Sequence, residues 1–177
     1  MIPNMLRSVV PLSFSILALA TGNGYSAEAA SGLPSDVPAN FALGEQRPVS
    51  TLHAVGAQIY ECKAAADGPL AWSFREPIAT LVGEDGRTIG RHYAGPNWDL
   101  GDGSGVTGKS VSSAPGAGPG DIPQLALQVV EHRGSGALAN TSMVLRLHTA
   151  GGALKGACDR AGELRSVPYA ADYLFLR

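Results

Sequence analysis

The stretch "PIATLVGEDGRTIGRHY", residues 77–93, decides the fold class. At its centre Asp85-Gly86 is a tight-turn pair. Glycine takes the positive φ such turns need, and aspartate bonds its own backbone. The flanking runs, Ile78–Val82 and Arg87–Tyr93, are short and rich in strand formers, so the stretch predicts an antiparallel hairpin. Working outward, "LHAVGAQIYEC" (52–62) puts Val55, Ala57 and Ile59 on one face and Gln58, Tyr60 and Cys62 on the other, with Gly56 a candidate bulge. "LAWSF" (70–74) is a further strand, cut off from "PIATLV" by a proline break. "GVTGKSVSSA" (105–114) is a weak, polar strand suited to an edge, and "APGAGPG" (114–120) is a loop.

"DIPQLALQVVEH" (121–132) fits a buried strand or a short helix, and the β-branched pair Val129-Val130 favours the strand. "SMVLRLHT" (142–149) alternates, with Met143, Leu145 and Leu147 expected inward and Val144, Arg146 and His148 outward. An aromatic strand around Tyr173 to Leu176 ends the chain. No window carries a sustained helical stripe. The expectation is an all-β domain over residues 49–177: an antiparallel sandwich or barrel of about eight short strands.

Composition agrees. Only 16% of the 177 residues are charged, against a usual ~25%, while glycine (23) and proline (12) are frequent. A formal net charge of −2 with scattered basic residues gives no footprint for nucleic acid.

The N-terminus has Arg7, then an apolar run from Val9 to Ala20, then Ala27-Glu28-Ala29, which fits an A-x-A cleavage site. This is the pattern of a signal peptide over residues 1–29, with an apolar run too short to span a bilayer. Export to the periplasm or outside the cell follows as an expectation, with no transmembrane span. Residues 30–48, with three prolines, read as an extended leader rather than a packed element. An exported chain meets an oxidising compartment, so its two cysteines, Cys62 and Cys158, are expected to pair. Closing so long a loop removes roughly 4–5 kcal/mol of unfolded-chain entropy.

Several motifs are present in letters only. Gly103, Gly105 and Gly108 spell G-x-G-x-x-G, but a polar loop and a serine-rich strand flank them where a dinucleotide site needs a buried strand and a helix. Asp99, Asp102 and Ser104 lack the glutamate that completes a calcium loop. The four histidines, His53, His92, His132 and His148, show no ligand spacing, so neither metal nor cofactor is expected. His92, Asp102 and Ser104 lie close in sequence without the geometry of a triad.

The densest chemistry is "GRHYAGPNWDLGDGS" (90–104). One reading is architectural: Trp98 plugs the barrel, and Asp99 and Asp102 accept N–H bonds within the loop. The other makes His92, Tyr93, Trp98, Asp99 and Asp102 a small polar site, with Tyr169 and Asp172 nearby.

Five blocks, "GAQIYEC" (56–62), "HYAGPNWDLGDGS" (92–104), "IPQLAL" (122–127), "RLHTAGG" (146–152) and "VPYAADYLF" (167–175), resemble in order those of a secreted bacterial and fungal family, domain of unknown function 3455. Asn97 stands where that family usually has threonine, and Gln124 where tryptophan is expected. The resemblance implies export and no particular chemistry.

The expected function is non-enzymatic binding of a small polar ligand or an envelope protein, with nucleic acid excluded. One alternative is a small secreted enzyme using His92 with Asp99 or Asp102 as acid and base. Another, by fold-level analogy, is a periplasmic protein-inhibitor module similar to small lysozyme inhibitors.

Overall fold

The computed structural model describes residues 32–64 and 68–177, so the expected signal peptide lies outside the described residues. Eight strands form one closed barrel in chain order: β1 (Pro48–Ala64), β2 (Leu70–Val82), β3 (Thr88–Tyr93), β4 (Asn97–Leu100), β5 (Gly105–Ala114), β6 (Gln124–Arg133), β7 (Met143–Gly151) and β8 (Leu164–Leu176). Every neighbouring pair is antiparallel, and β8 returns to β1. Of the two expected architectures, the barrel is the one adopted.

The hairpin that decides the class is present. Gly86 takes φ 76°, its N–H donates to the Gly83 carbonyl, and Leu81 faces Gly90 across the pair. The 121–132 stretch is strand, as Val129-Val130 indicated. Five expectations are corrected. β5 is no edge strand, because a closed barrel has none and β5 pairs with both β4 and β6. Gly56 is no bulge. It pairs regularly with Ala79 and Tyr169, and a Cβ there would strike the Ile78 carbonyl and Ala79.

β2 also runs unbroken through Pro77. The register shift falls between Ile59 and Tyr60, which leaves Arg75 as the extra residue, and β3 reaches β2 only from Ala79 onward. The missing N–H of Pro77 therefore breaks no pair on that side.

The fourth correction concerns which way β7 faces. Val144 points into the barrel with Trp98, Tyr173 and Phe175, whereas Leu145 and Leu147 point outward. They stay buried because residues 33–43 pack across the outside of β6, β7 and β8. Phe41, only 5% exposed, leads a second apolar cluster with Ala126, Leu145, Leu147, Leu174 and Leu176. The fifth correction is that residues 33–43, within the 30–48 stretch expected as an unpacked leader, form a packed strap without regular structure. The Asn40 side chain holds it to β5 through Ser112 Oγ and the Ser113 carbonyl.

An antiparallel meander sends alternate connections to opposite ends. The β2–β3, β4–β5 and β6–β7 connections share one end with the start of β1, where Arg47 and Arg177 exchange backbone bonds. Leu138, fully buried, plugs that end. The other end carries the disulfide Cys62–Cys158, which ties the long β7–β8 connection to the top of β1. Trp72 N–H to Gly156 and Cys158 N–H to Leu70 secure the same connection to β2.

Candidate functional site

An eight-stranded barrel is just wide enough for side chains to fill it or for one small ligand to enter. Here both happen. The closed half is packed around Trp98, which lies over Gly108; a Cβ at 108 would sit 3.0 Å from the indole. His92 stacks on Trp98 (centroids 4.7 Å apart, planes 15° off parallel), and Tyr173 tilts against His92 at 4.9 Å. This aromatic group is the floor of a cavity of about 400 Å³ open toward the disulfide end. That volume lies within the ~300–1,000 Å³ range of small-molecule sites.

The walls follow from strand alternation. β1 contributes Gln58 and Tyr60, β2 Phe74 and Pro77, β5 Ser110, β6 Leu125 and Leu127, and β7 Arg146. The β3–β4 turn, Ala94 to Pro96, and Ile122-Pro123 form the rim. Several bonds fix that rim in advance. Asp121 accepts from Gly151 N–H at 2.6 Å and Gly118 N–H at 2.8 Å. Thr149 donates to the Ile122 carbonyl at 2.6 Å, and the Tyr60 hydroxyl donates to the Gly152 carbonyl at 2.7 Å.

His92 Nδ1 lies 2.8 Å from the Asn97 carbonyl, so Nδ1–H is the donor and Nε2 keeps a lone pair. Burial is the main cause that lowers the imidazole to about 4, outweighing the help of the Asn97 carbonyl to the charged form; the positive charge of Arg146 lowers it further. His92 is therefore neutral at neutral pH. Burial likewise pushes both Tyr169 and Tyr173 upward, and their hydroxyls lie 3.5 Å apart.

The residues singled out in the sequence separate into four places. His92 and Trp98 line the cavity; Tyr169, buried beside Tyr173, belongs to the same interior core. Tyr93 and Asp99 lie on the outer face. There Asp99 accepts from the Tyr93 hydroxyl (2.7 Å), Arg133 (2.8 Å) and Arg91 (3.3 Å). Burial would raise the Asp99 carboxyl, but these donors outweigh it and bring it below its ordinary value.

Asp102 serves the closed end. It accepts from Ala137 N–H (2.7 Å), the Ser104 hydroxyl (2.7 Å) and Ser104 N–H (2.9 Å), and these lower its carboxyl. Asp172 lies outside too, between His53 Nδ1 (2.8 Å) and His148 Nδ1 (2.7 Å). His148 reaches on to Asp36 of the strap, which chiefly raises its imidazole, with Asp172 second.

His92 is thus oriented by a backbone carbonyl, with neither Asp99 nor Asp102 beside it, and Ser104 bonds Asp102 rather than a histidine. Among the described residues no group of three or more His, Cys, Asp or Glu could hold a metal ion.

Sequence reasoning missed Gln58, Tyr60, Ser110, Arg146 and Tyr173. For the first two a signal existed. Gln58 shares the Tyr60–Cys62 side of β1, the side opposite the exposed Val55.

The DUF3455 family, described as a protein of unknown function, matches residues 43–177. The chain belongs to that family. No curated protein and no solved structure matches this DUF3455 member. The match takes in the whole barrel and every cavity residue; the strap residues Asp36 and Phe41 precede it.

Proposed function

We propose that this DUF3455 protein is an exported, non-enzymatic binding protein that takes one small ligand inside the open half of its barrel. The observation that carries this is the cavity itself, with mostly apolar walls and a few convergent polar groups. Gln58, only 2% exposed, lines it, and its Nε2 is buried with no hydrogen-bond partner among the described residues. An unmet buried donor costs about 1–3 kcal/mol, and a small turn of the Gln58 amide toward a ligand acceptor would relieve it. The rim is fixed by a disulfide and by Asp121 before any ligand arrives, so little ordering is needed on binding. Export is supported by the N-terminal pattern and by the cysteine pair.

The test is a thermal-shift screen of small amphipathic molecules against the wild type and Ser110→Trp, whose indole fills the cavity from β5. A ligand at a hundred times its Kd stabilises by ~2.7 kcal/mol, roughly 5–10 °C for a domain of this size. Shifts in the wild type that vanish in Ser110→Trp are expected. Shifts of equal size in both would place binding elsewhere.

A further inference from the structure

Resting on the cavity reading, we infer that the ligand is an amphipathic organic acid, with its carboxylate on Arg146 and its apolar body against Phe74, Ile122, Leu125 and Leu127. Among the described residues the cavity lining holds two arginines, Arg75 and Arg146, and no carboxylate. Arg75 is already paired, with Glu76 at 3.1 Å and Glu61 at 3.9 Å. Arg87, Arg91, Arg133 and Arg165 each have a carboxylate as well.

Arg146 differs. Among the described residues it has no carboxylate within ion-pair distance; its Nε and Nη2 both donate to the Pro123 carbonyl, at 3.0 and 2.8 Å. That clamp fixes the guanidinium plane; the Tyr173 hydroxyl is also a hydrogen-bond neighbour of the same guanidinium, and at least two of its five N–H groups remain for an incoming acceptor.

The other polar groups point to the same chemistry. Among the described residues Gln58 Nε2 and Trp98 Nε1 are buried donors without partners. Among the acceptors of the lining, His92 Nε2 suits a hydroxyl on the ligand body. A cation would meet Arg146 with nothing to balance it. A neutral apolar molecule would leave the donors unmet and strip water from the guanidinium. A carboxylate supplies charge and acceptors at once, and arginine binds it with planar, directed bonds.

The experiment titrates three probes that share one body: 4-phenylbutyrate, 4-phenylbutanamide and 4-phenylbutylamine. Calorimetry is run on the wild type, Arg146→Gln, Arg146→Lys and Ser110→Trp. The acid should bind about tenfold or more tighter than the amide, as expected for a charge-assisted pair in an enclosed site, and the amine weakest. Arg146→Gln should erase the preference while the amide still binds. Arg146→Lys should keep a reduced preference even if the Pro123 clamp is lost.

Equal binding of acid and amide in the wild type, or a preference for the amine, overturns the organic-acid assignment and leaves the cavity reading standing. Failure of all three probes to bind, or binding undiminished in Ser110→Trp, overturns both. An acid preference that persists in Arg146→Gln assigns the charge recognition elsewhere and overturns the role of Arg146.

Discussion

His92 offers a stability measurement that reports directly on the interior of the barrel. Its imidazole is 2% exposed, stacked on Trp98 and committed through Nδ1–H to the Asn97 carbonyl. Burial lowers it from 6.5 to about 4. The sign is fixed by linkage. Between these values the unfolded chain takes up a proton at His92 that the folded chain refuses, so stability falls as pH falls. The contribution is complete above pH 6.5, declines by up to about 1.4 kcal/mol per pH unit, and is gone near pH 4. The full drop is about 3 kcal/mol, taken from the interval between 6.5 and about 4.

Carboxylates and His148 titrate over the same range, so the informative quantity is a difference. Urea denaturation of the wild type and of His92→Gln, at steps between pH 4 and 7.5, gives it. Glutamine keeps a donor for Asn97 and does not ionise in this range. The wild type should lose about 3 kcal/mol more than the variant on acidification. A difference that stays flat with pH would refute the reasoning, because His92 would then ionise alike in folded and unfolded chains.

Three further outcomes are expected. Cys62→Ser with Cys158→Ser removes the staple over a sequence separation of 96 and should lose about 4–5 kcal/mol in urea unfolding; a loss under about 1 kcal/mol would mean that the loop is held by its backbone bonds alone. His148 is raised by its bonds to Asp36 and then Asp172, so its tie to the strap is complete below pH 6.5 and fades as pH rises through its folded value. Protection of the amides over residues 33–43, taken relative to their intrinsic base-catalysed exchange, should therefore fall as pH rises, and His148→Gln should abolish that fall. Asp99→Asn weakens the outer cluster of Tyr93, Arg91 and Arg133 but should leave ligand affinity unchanged; a large affinity loss would move the site to the outer face of the 90–104 stretch.

How much was legible in the sequence differs by residue, for physical reasons. The 77–93 hairpin could be read because a turn pair and its flanking strands are local signals. Trp98 as a barrel plug was legible too, since a tryptophan between short strands must be buried somewhere. Arg146 was not. Alternation tells the two faces of β7 apart without saying which is interior, and here both faces are buried: Val144 by the barrel, Leu145 and Leu147 by the strap. The more apolar face reads as the inside, and that reading turns Arg146 outward. The 90–104 stretch looked like one site because its residues are close in sequence. A strand sends neighbours to opposite faces, however, so Trp98 and Asp99 cannot share a pocket, and Asp102 lies past the end of β4.

The most direct test of the central claim uses the two tryptophans as paired reporters. Trp98 forms the cavity floor, whereas Trp72 lies toward the disulfide with Arg165 over its ring at 4.5 Å and does not line the cavity. In a proton–nitrogen correlation spectrum titrated with 4-phenylbutyrate, the Trp98 Nε1–H signal should move to saturation while that of Trp72 stays in place. Movement of Trp72 alone, with Trp98 unchanged, would contradict binding inside the barrel.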